Sequence, residues 1–340
     1  MTALSPLAAA YGGVVAARLA LYRRGLLKTT RAGRRVVSIG NIAAGGTGKT
    51  PFVAWLAREL AAAGERPSIL TRGYGRAGRG TILVADGAGH RADVELSGDE
   101  AAVLARALPS VPIVAAARRS VAAARAEALF PELTLHLLDD GFSHLALHRD
   151  ADVLLLDATD PCAGGALLPE GRLREPLSSL ARADAIVVTK VEQADPADAL
   201  ALVARHAPGV PTYRASTRVD AIRDGHGNEV RPKDLPPKTV VAVAGIARPA
   251  AFAFTLTALG IAPTALLTFP DHARYGAYRV GKILRAAEET GATAVITTEK
   301  DAVKLESVLP LPLFRVSIFM AVLEPLFVPE LLARLSRRPS

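Results

Sequence analysis

The chain has 340 residues, of which 50% are hydrophobic, and its 41 Lys and Arg against 33 Asp and Glu give a net charge of +8. This length suits about two domains. Cys162 is the one cysteine, which excludes an intramolecular disulfide and a cysteine-rich zinc site and favours a reducing compartment. The positive charge favours an anionic partner, and composition leaves open whether this is nucleic acid, a phosphorylated substrate or an acidic membrane face.

The N-terminal segment predicts an amphipathic helix within residues 1–30. Residues 1–17 carry no charged side chain, and basic residues begin at Arg18. A secretory signal would place its positive charge before the apolar run, and this run is short for a membrane span of about 20 apolar residues. Two interpretations stay open: a helix packed on the protein's own core, or a helix lying on a membrane surface. The apolar side chains at helical spacing are Leu4, Leu7, Tyr11, Val14 or Val15, and Tyr22.

Short apolar runs alternate with helical patterns through most of the chain. RVVSIGN predicts a strand, TPFVAWLARELAAAG predicts the next helix, and PSILTRGYGR, ELTLHLLDDG, ADVLLLDAT and ADAIVVTK contain further strands. This alternation is typical of a doubly wound, mostly parallel α/β sheet. We therefore predict a first domain over 31–211, a linker over 212–237, a second, smaller α/β domain over 238–321 and a C-terminal helix over 322–340.

The segment SIGNIAAGGTGKTPF, residues 38–52, joins a predicted strand to a predicted helix through a glycine-rich turn. It matches the phosphate-loop pattern G-x-x-x-x-G-K-[ST] except that alanine occupies the first glycine position. In such a loop, backbone N–H groups wrap a phosphate chain, the lysine neutralises it and the hydroxyl reaches Mg²⁺. The segment predicts a P-loop NTPase-type fold. The residues predicted to bind the nucleotide are Ala43, Ala44, Gly45, Gly46, Thr47, Gly48, Lys49 and Thr50.

Acidic residues at two places are candidates for metal binding or catalysis. Asp139 and Asp140 follow a strand-like run, at the sheet edge where a phosphate loop needs a carboxylate for its metal ion, although a turn or cap is the alternative. Asp99 and Glu100 open a helical pattern and by themselves indicate capping. His272 follows a predicted strand and an aspartate, where side chains point into a cleft.

The segment VVTKVE, residues 187–192, partly matches the N-K-x-D element that reads guanine in GTPases. Thr189, Lys190 and Glu192 occupy the corresponding positions, while two specifying positions differ. A nucleotide-driven switch or metallochaperone is therefore an alternative function. A related loop of dimeric ATPases has lysine where this chain has Ala44, which disfavours that class. A nucleic-acid-binding ATPase would rest on charge alone, and we expect no nucleic-acid partner.

Eight blocks in one order are similar to those of the tetraacyldisaccharide 4'-kinase family, the lipid A 4'-kinases of Gram-negative bacteria. The resemblance covers nearly the whole chain. It implies transfer of the ATP γ-phosphate to the 4'-hydroxyl of tetraacyldisaccharide 1-phosphate, with Mg²⁺, by a monomer held peripherally or monotopically at the cytoplasmic face of the inner membrane, an anionic surface. The blocks are VSIGNIAAGGTGKTPFVAWLARELAAAG, LTRGYGR, SGDEAAVLA, LLDDGFSHLALHRDADVLLLDA, LLPEGRLREPLSSLARADAIVVTK, VAGIARPAAFAFTLTALG, FPDHARY and TTEKDAVKL.

The resemblance also implies roles for matching positions. Lys49 and Thr50 would hold the β and γ phosphates and Mg²⁺, with Asp139 at the metal. Asp99 and His272 would form a pair that accepts the proton of the sugar hydroxyl. Because the predicted linker separates these two residues, we expect a cleft that closes on ATP or lipid. Weaker candidates for metal, phosphate or substrate contact are Glu100, Arg119, Tyr74 and Glu170.

Three positions depart from the family pattern. Ser143 stands in place of a usual glutamine, Arg172 in place of a common proline and Ala273 in place of a frequent second histidine. None is a residue assigned to the chemistry. The departures therefore bear on substrate contacts and local geometry, and the reaction class stays as predicted.

Overall fold

Thirteen strands join edge to edge in one sheet within residues 6–235 and 240–337, which this computed structural model describes. Where strands are covered on both faces, their sequences are continuous apolar runs, as expected for buried parallel strands. The strands are β1 Arg35–Gly40, β2 Pro67–Thr71, β3 Ile82–Ala85, β4 Ile113–Ala115, β5 Leu135–Asp139, β6 Ala151–Asp157, β7 Ala185–Thr189, β8 Thr212–Arg223, β9 Glu229–Val230, β10 Val240–Ala244, β11 Ala265–Thr268, β12 Ala294–Thr298 and β13 Leu313–Val322.

Helices connect most of these strands and cover the sheet. Short 3₁₀ turns at Leu177–Arg182 and Pro232–Asp234 supplement them. The α-helices are α1 Pro6–Arg23, α2 Lys49–Ala62, α3 Val94–Ser97, α4 Asp99–Ala107, α5 Arg119–Leu129, α6 Ala197–His206, α7 Pro249–Ala258, α8 Ala277–Thr290, α9 Glu299–Leu305 and α10 Phe327–Arg337.

The sheet consists of two mostly parallel groups that meet at an antiparallel pair, and the edge strand β3 is antiparallel to β4. The strand order is β11-β10-β12-β13-β8-β7-β6-β1-β5-β2-β4-β3, with β9 paired to β8. Strands β8 and β13 pair antiparallel, and the register shifts between Ser317 and Ile318, an irregularity of the kind that increases local twist. We call residues 6–223 the first half and residues 240–322 the second half. The predicted mostly parallel α/β fold is confirmed.

The interval 212–237, which the sequence predicts as a linker, contains a twelve-residue strand, β8, over its first part. This strand lies inside the sheet between β7 and β13. Its exposed positions carry Arg and Asp, which obscured the strand pattern, while Tyr213 and Ile222 are buried. Residues 236–239 lie outside the described part, so the end of the predicted linker and the start of the predicted second domain are not placed. The division into domains stays a prediction.

The C-terminal helix packs on the first half. The predicted segment 322–340 is helical from Phe327 to Arg337, since β13 still includes Val322. Residues 338–340 lie outside the described part. The ring of Phe327 lies 6.0 Å from that of Phe52 and 5.8 Å from that of Trp55, both on α2. The chain thus returns from the second half to complete the core of the first.

Helix α1 lies within the segment 1–30 that the sequence predicts as helical, and Leu4 of the predicted stripe lies outside the described residues. The remaining stripe is divided between two faces. Tyr11 donates a hydrogen bond of 3.0 Å to the Arg174 carbonyl, whereas Leu7 and Val14 are 69% and 68% exposed. Among the described residues, no helix combines the length and apolar character needed to cross a membrane.

Candidate active site

The glycine-rich turn connects the end of β1 to the start of α2. Gly48 has φ of +82°, in the left-handed region, and a Cβ added there would lie 2.5 Å from the Met320 side chain. Only glycine fits this position without strain or displacement. The first helical residues, Lys49 and Thr50, therefore follow a tight turn whose helix N-terminus favours an anion.

Polar side chains hold the loop lysine near its turn. Asn41 donates from Nδ2 to the Thr47 hydroxyl at 2.9 Å and accepts from Lys49 Nζ at 3.2 Å through Oδ1. Lys49 also lies 3.5 Å from an Asp140 carboxylate oxygen, and Asp140 binds Arg174 at 3.0 Å. A lysine held in this way is already directed at the space above the loop.

The two alanines of the loop follow an extended path. Ala43 forms an isolated antiparallel bridge with Leu173, and the Ala44 N–H donates to the Arg172 carbonyl at 2.6 Å. Extended backbone suits alanine as well as glycine. This pairing explains why the first glycine of the pattern is dispensable here.

A group of carboxylates lies beside the loop. Asp139 ends β5, is 3% exposed and accepts a 3.0 Å hydrogen bond from the Thr71 hydroxyl. Burial, followed by the charges of Glu100 and Asp140, raises the pKa of Asp139 to about 7. Asp140 is held differently: burial would raise its pKa, but Lys49 and Arg174 outweigh burial and lower it.

These donors fit a magnesium ion bound together with nucleotide. Among the residues described, no cluster of three or more His, Cys, Asp or Glu side chains forms a complete metal site. Mg²⁺ commonly takes only one or two carboxylates and fills its remaining positions with phosphate oxygens and water. The raised pKa of Asp139 marks negative charge that a cation would stabilise. Thr50, Asp139 and Glu100 all line the same cavity and supply the oxygen ligands that Mg²⁺ requires.

The structure brings Asp99 and His272 together across the two halves. His272 Nδ1 lies 3.0 Å from Oδ2 and 3.1 Å from Oδ1 of Asp99, which opens α4. Burial would raise the pKa of Asp99, but the hydrogen bond to His272 and the charge of Lys300 outweigh it and lower that pKa to about 2. The bond to Asp99 raises the pKa of His272, although burial opposes this. The aspartate is buried behind the histidine, which lines the cavity.

Two lysines that the sequence analysis did not single out hold this pair. Lys300 Nζ lies 3.3 Å from His272 Nε2 and 2.9 Å from Asp271, and Lys304 Nζ lies 3.4 Å from Asp99. Their spacing of four residues at the start of a helix after a strand places both on one face of α9. Lys300 Nζ also lies 3.4 Å from Glu100. The spacing of the lysines was visible in TTEKDAVKL, but their partners on α4, Glu100 and Asp99, about 200 residues earlier in the chain, were not.

The weaker candidates fall in different places. The Tyr74 ring lies 4.8 Å from the His272 ring. Arg119 is 4% exposed at the start of α5 and lines the cavity, and burial lowers its pKa. Its Nε has no hydrogen-bond partner among the described residues. Glu170 is exposed and lies outside the cavity lining.

The residues that depart from the family pattern have local partners. Ser143 donates to Glu175, which also binds Arg182, and Arg172 pairs with Asp160. Ala273 is buried in the apolar core of the second half. The three substitutions are thus accommodated by neighbouring side chains.

A cavity of about 790 Å³ joins the phosphate loop to the His272–Asp99 pair, which we call the dyad. Its wall contains Lys49 and Thr50 on one side and His272 and Lys300 on the other, and its size is that of a small-molecule site. A phosphate loop that shares a cavity with a candidate base defines a P-loop phosphotransferase that acts on a hydroxyl group.

Comparison with known proteins identifies the family. The family model described as tetraacyldisaccharide-1-P 4'-kinase matches residues 1–338. Tetraacyldisaccharide 4'-kinase of Anaeromyxobacter dehalogenans strain 2CP-C is 43% identical over 305 residues, covering 88% of this chain and 80% of that protein. The protein of the same name from Geobacter metallireducens is 39% identical over 309 residues, covering 90% and 89%. This chain belongs to the tetraacyldisaccharide-1-P 4'-kinase family.

A solved structure is similar to this fold throughout. The crystal structure of "apo" form LpxK from Aquifex aeolicus in complex with ATP has a TM-score of 0.78 and 31% sequence identity, and the match covers 97% of each chain. The predicted family is confirmed, and these findings support the kinase over the switch or metallochaperone alternative.

Proposed function

We propose that this chain transfers the γ-phosphate of ATP to the 4'-hydroxyl of tetraacyldisaccharide 1-phosphate, a step in lipid A biosynthesis. Family membership over residues 1–338 supports the substrate pair. The observation that carries the reaction type is the placement of His272, with Asp99 buried behind it, in the cavity that the phosphate loop also lines. One chain supplies both groups, so we take the monomer as the working unit.

The donor side of the reaction belongs to the phosphate loop. Backbone N–H groups of the loop bind the phosphates, and Lys49 moves from Asn41 and Asp140 onto the β and γ phosphates. Mg²⁺, when bound, offsets phosphate charge and orients the γ-phosphate, and Thr50, Asp139 and Glu100 would hold it. Arg174, which pairs with Asp140, keeps that carboxylate in place when the lysine leaves it.

The acceptor side belongs to the dyad. With Nδ1 donating to Asp99, the Nε2 atom of His272 is the basic nitrogen. It takes the proton of the sugar hydroxyl as the hydroxyl oxygen bonds to the γ-phosphorus and the bond from that phosphorus to ADP breaks. The buried Asp99 carboxylate orients the ring and stabilises the imidazolium. Lys300, 3.3 Å from Nε2, gives way to the hydroxyl and remains bound to Asp271.

Arg119 is suited to an anionic part of the substrate. Its guanidinium is buried at the cavity wall, and Nη1 donates a hydrogen bond of 3.1 Å to the Ala117 carbonyl. A buried cation beside a cavity attracts a phosphate or hydroxyl of the acceptor. Tyr74, against His272, would bound the same space from the opposite side.

Helix α1 would hold the enzyme at the cytoplasmic face of the inner membrane, peripherally or monotopically. It exposes Leu7 and Val14, and basic residues follow at Arg18, Arg23 and Arg24, a combination that binds anionic lipid surfaces. Flotation with vesicles containing anionic lipid should recover the wild type, and Leu7→Asp with Val14→Asp should reduce recovery. Equal recovery of the variant would exclude this surface as the anchor.

The direct test of the function is label transfer. Purified protein, Mg²⁺, γ-labelled ATP and tetraacyldisaccharide 1-phosphate in detergent micelles should give labelled lipid, and Lys49→Ala should give none. A folded, ATP-binding protein that leaves the lipid unlabelled would reject the proposed acceptor. Label transfer by Lys49→Ala at close to the wild-type rate would reject the role of the loop lysine.

A further inference from the structure

Lys190 is buried beside the phosphate loop and is not used by the reaction described above. It follows β7, is 9% exposed and has φ of +62°, a left-handed conformation that is uncommon for a residue other than glycine. Its neighbour Thr189 is fully buried. Together they form the part of VVTKVE that partly matches a guanine-reading element.

Both side chains bind carbonyl groups of the loop. Lys190 Nζ donates to the Gly46 carbonyl at 2.7 Å, and Thr189 Oγ1 donates to the Thr47 carbonyl at 3.1 Å. Neither contact involves a group that would recognise a base. The contacts tie the turn of the loop to the end of β7.

Tethered carbonyls determine where the N–H groups of the loop point. In a planar trans peptide the C=O and N–H point in opposite directions, so a Thr47 carbonyl held toward β7 turns the Gly48 N–H toward the cavity. The Thr47 N–H donates to the Gly45 carbonyl at 3.1 Å, which closes a tight turn inside the loop. Lys190 holds this turn in place through its hydrogen bond to the Gly46 carbonyl. Phosphate binding depends on such oriented N–H groups.

A buried carboxylate keeps Lys190 in this position. Asp157, at the end of β6, is 3% exposed and lies 2.6 Å from Lys190 Nζ and 3.0 Å from Arg248. Since the ion pair is shielded from water, the ammonium has little freedom to leave the loop. Loss of Lys190 would still leave Asp157 paired with Arg248, so the carboxylate would keep a cation.

We propose that Lys190 is a positioning residue, which with Thr189 presets the phosphate loop for ATP by holding its carbonyl oxygens, and that it does not read the base. The inference rests on the proposed function only in taking ATP as the phosphate donor.

The test compares three variants with the wild type. Lys190→Met removes the ammonium, Thr189→Val removes the hydroxyl at similar volume, and Arg149→Met breaks a comparably buried ion pair with Asp152 at the other end of β6 as a control. The measurements are the equilibrium Kd for ATP, KM for ATP and for the lipid, the ratio of activity with ATP and GTP, and the melting temperature.

We expect Lys190→Met to raise Kd and KM for ATP about tenfold or more and Thr189→Val about threefold, with KM for the lipid and the ATP to GTP ratio unchanged. Arg149→Met should lower the melting temperature and leave Kd for ATP unchanged. If Lys190→Met does not fold, Thr189→Val decides the question, because this single variant should by itself raise Kd and KM for ATP about threefold.

Three results would overturn the inference. Wild-type ATP affinity in Lys190→Met, or in Thr189→Val where Lys190→Met does not fold, would show that the tether does not position the loop. A shift toward GTP would indicate a base contact, and an equal loss of ATP affinity in Arg149→Met would indicate general destabilisation. A wild type that binds ATP but labels no lipid would reject the acceptor while leaving this inference standing.

Discussion

The phosphate loop and the dyad are built in opposite ways. The hydrogen bonds that shape the loop turn, from Asn41, Arg172, Thr189 and Lys190, all come from the first half. Met320 of β13, which packs against Gly48, belongs to the same apolar core. The His272–Asp99 pair instead joins residues 173 positions apart, one from each half. The donor site therefore depends on one core, whereas the acceptor site depends on how the two halves approach each other.

Replacing the loop lysine should have the largest effect. Lys49→Met removes the charge that stabilises the transferring phosphoryl group, and kcat should fall by at least about a hundredfold. Steady-state label transfer would measure it, with the exposed Lys233→Met as control. A fall of less than tenfold would show that the loop is not the main source of charge stabilisation.

Breaking the dyad should affect turnover and spare nucleotide binding. His272→Ala and Asp99→Asn should each lower kcat about a hundredfold, because proton acceptance is lost, with the Kd for ATP unchanged. The double variant should be little worse than either single one, since the two side chains act as a unit. Weakened ATP binding in these variants would mean that the two sites are not built separately.

The pH dependence of stability should contain a contribution that belongs to the first half alone. Burial, and then the charges of Arg119, Arg18, Arg149 and Arg72, lowers the pKa of His144 to about 4. In the unfolded chain a histidine titrates near 6.5, so the unfolded state takes up a proton first and stability falls as pH decreases from about 7 toward 4.

His144→Gln should reduce that loss. After allowance for solvent screening at a partly exposed side chain, we expect the loss between pH 7 and pH 5 to be smaller by about 1 kcal/mol, as measured by urea unfolding at each pH. Equal pH dependence in the variant and the wild type would contradict this assignment.

The smallest expected effect is on stability, at an ion pair that joins the two halves away from the reacting groups. Arg106 on α4 binds Glu306, just after α9, at 2.9 and 2.6 Å, and these side chains are 25% and 28% exposed. A double-mutant cycle with Arg106→Met and Glu306→Gln should give a coupling of about 0.5 kcal/mol. Zero coupling would mean that this ion pair does not help to hold the halves together, and that the pairing of β8 with β13, the other contacts of α9 and the His272–Asp99 pair do so.

Closure of the cleft stays a prediction that scattering can test. A nonhydrolysable ATP analogue should make the protein more compact if the halves close on nucleotide. Identical profiles with and without the analogue would mean that the acceptor site is as preformed as the donor site.

Local patterns were sufficient for the donor site and insufficient for the acceptor site. The loop, Asp139 and the strands around them were each predicted from a short local pattern, such as the strand, turn and helix that contain the loop or the apolar run that ends at Asp139. The dyad came from family resemblance, since no spacing rule relates positions 99 and 272. Lys300 and Lys304 were missed because their partners on α4, Glu100 and Asp99, are about 200 residues away in the chain. Strand β8 was missed because polar side chains occupy its exposed face.

The position of α10 has a consequence for synthesis on the ribosome. Phe327 completes an aromatic cluster with Phe52 and Trp55, yet more than 260 residues separate it from α2 in the chain. Domains usually fold as they emerge, N-terminal first. Here the region around α2 keeps an apolar face uncovered until the second half has been translated, so the nascent protein should depend on chaperones until α10 leaves the exit tunnel.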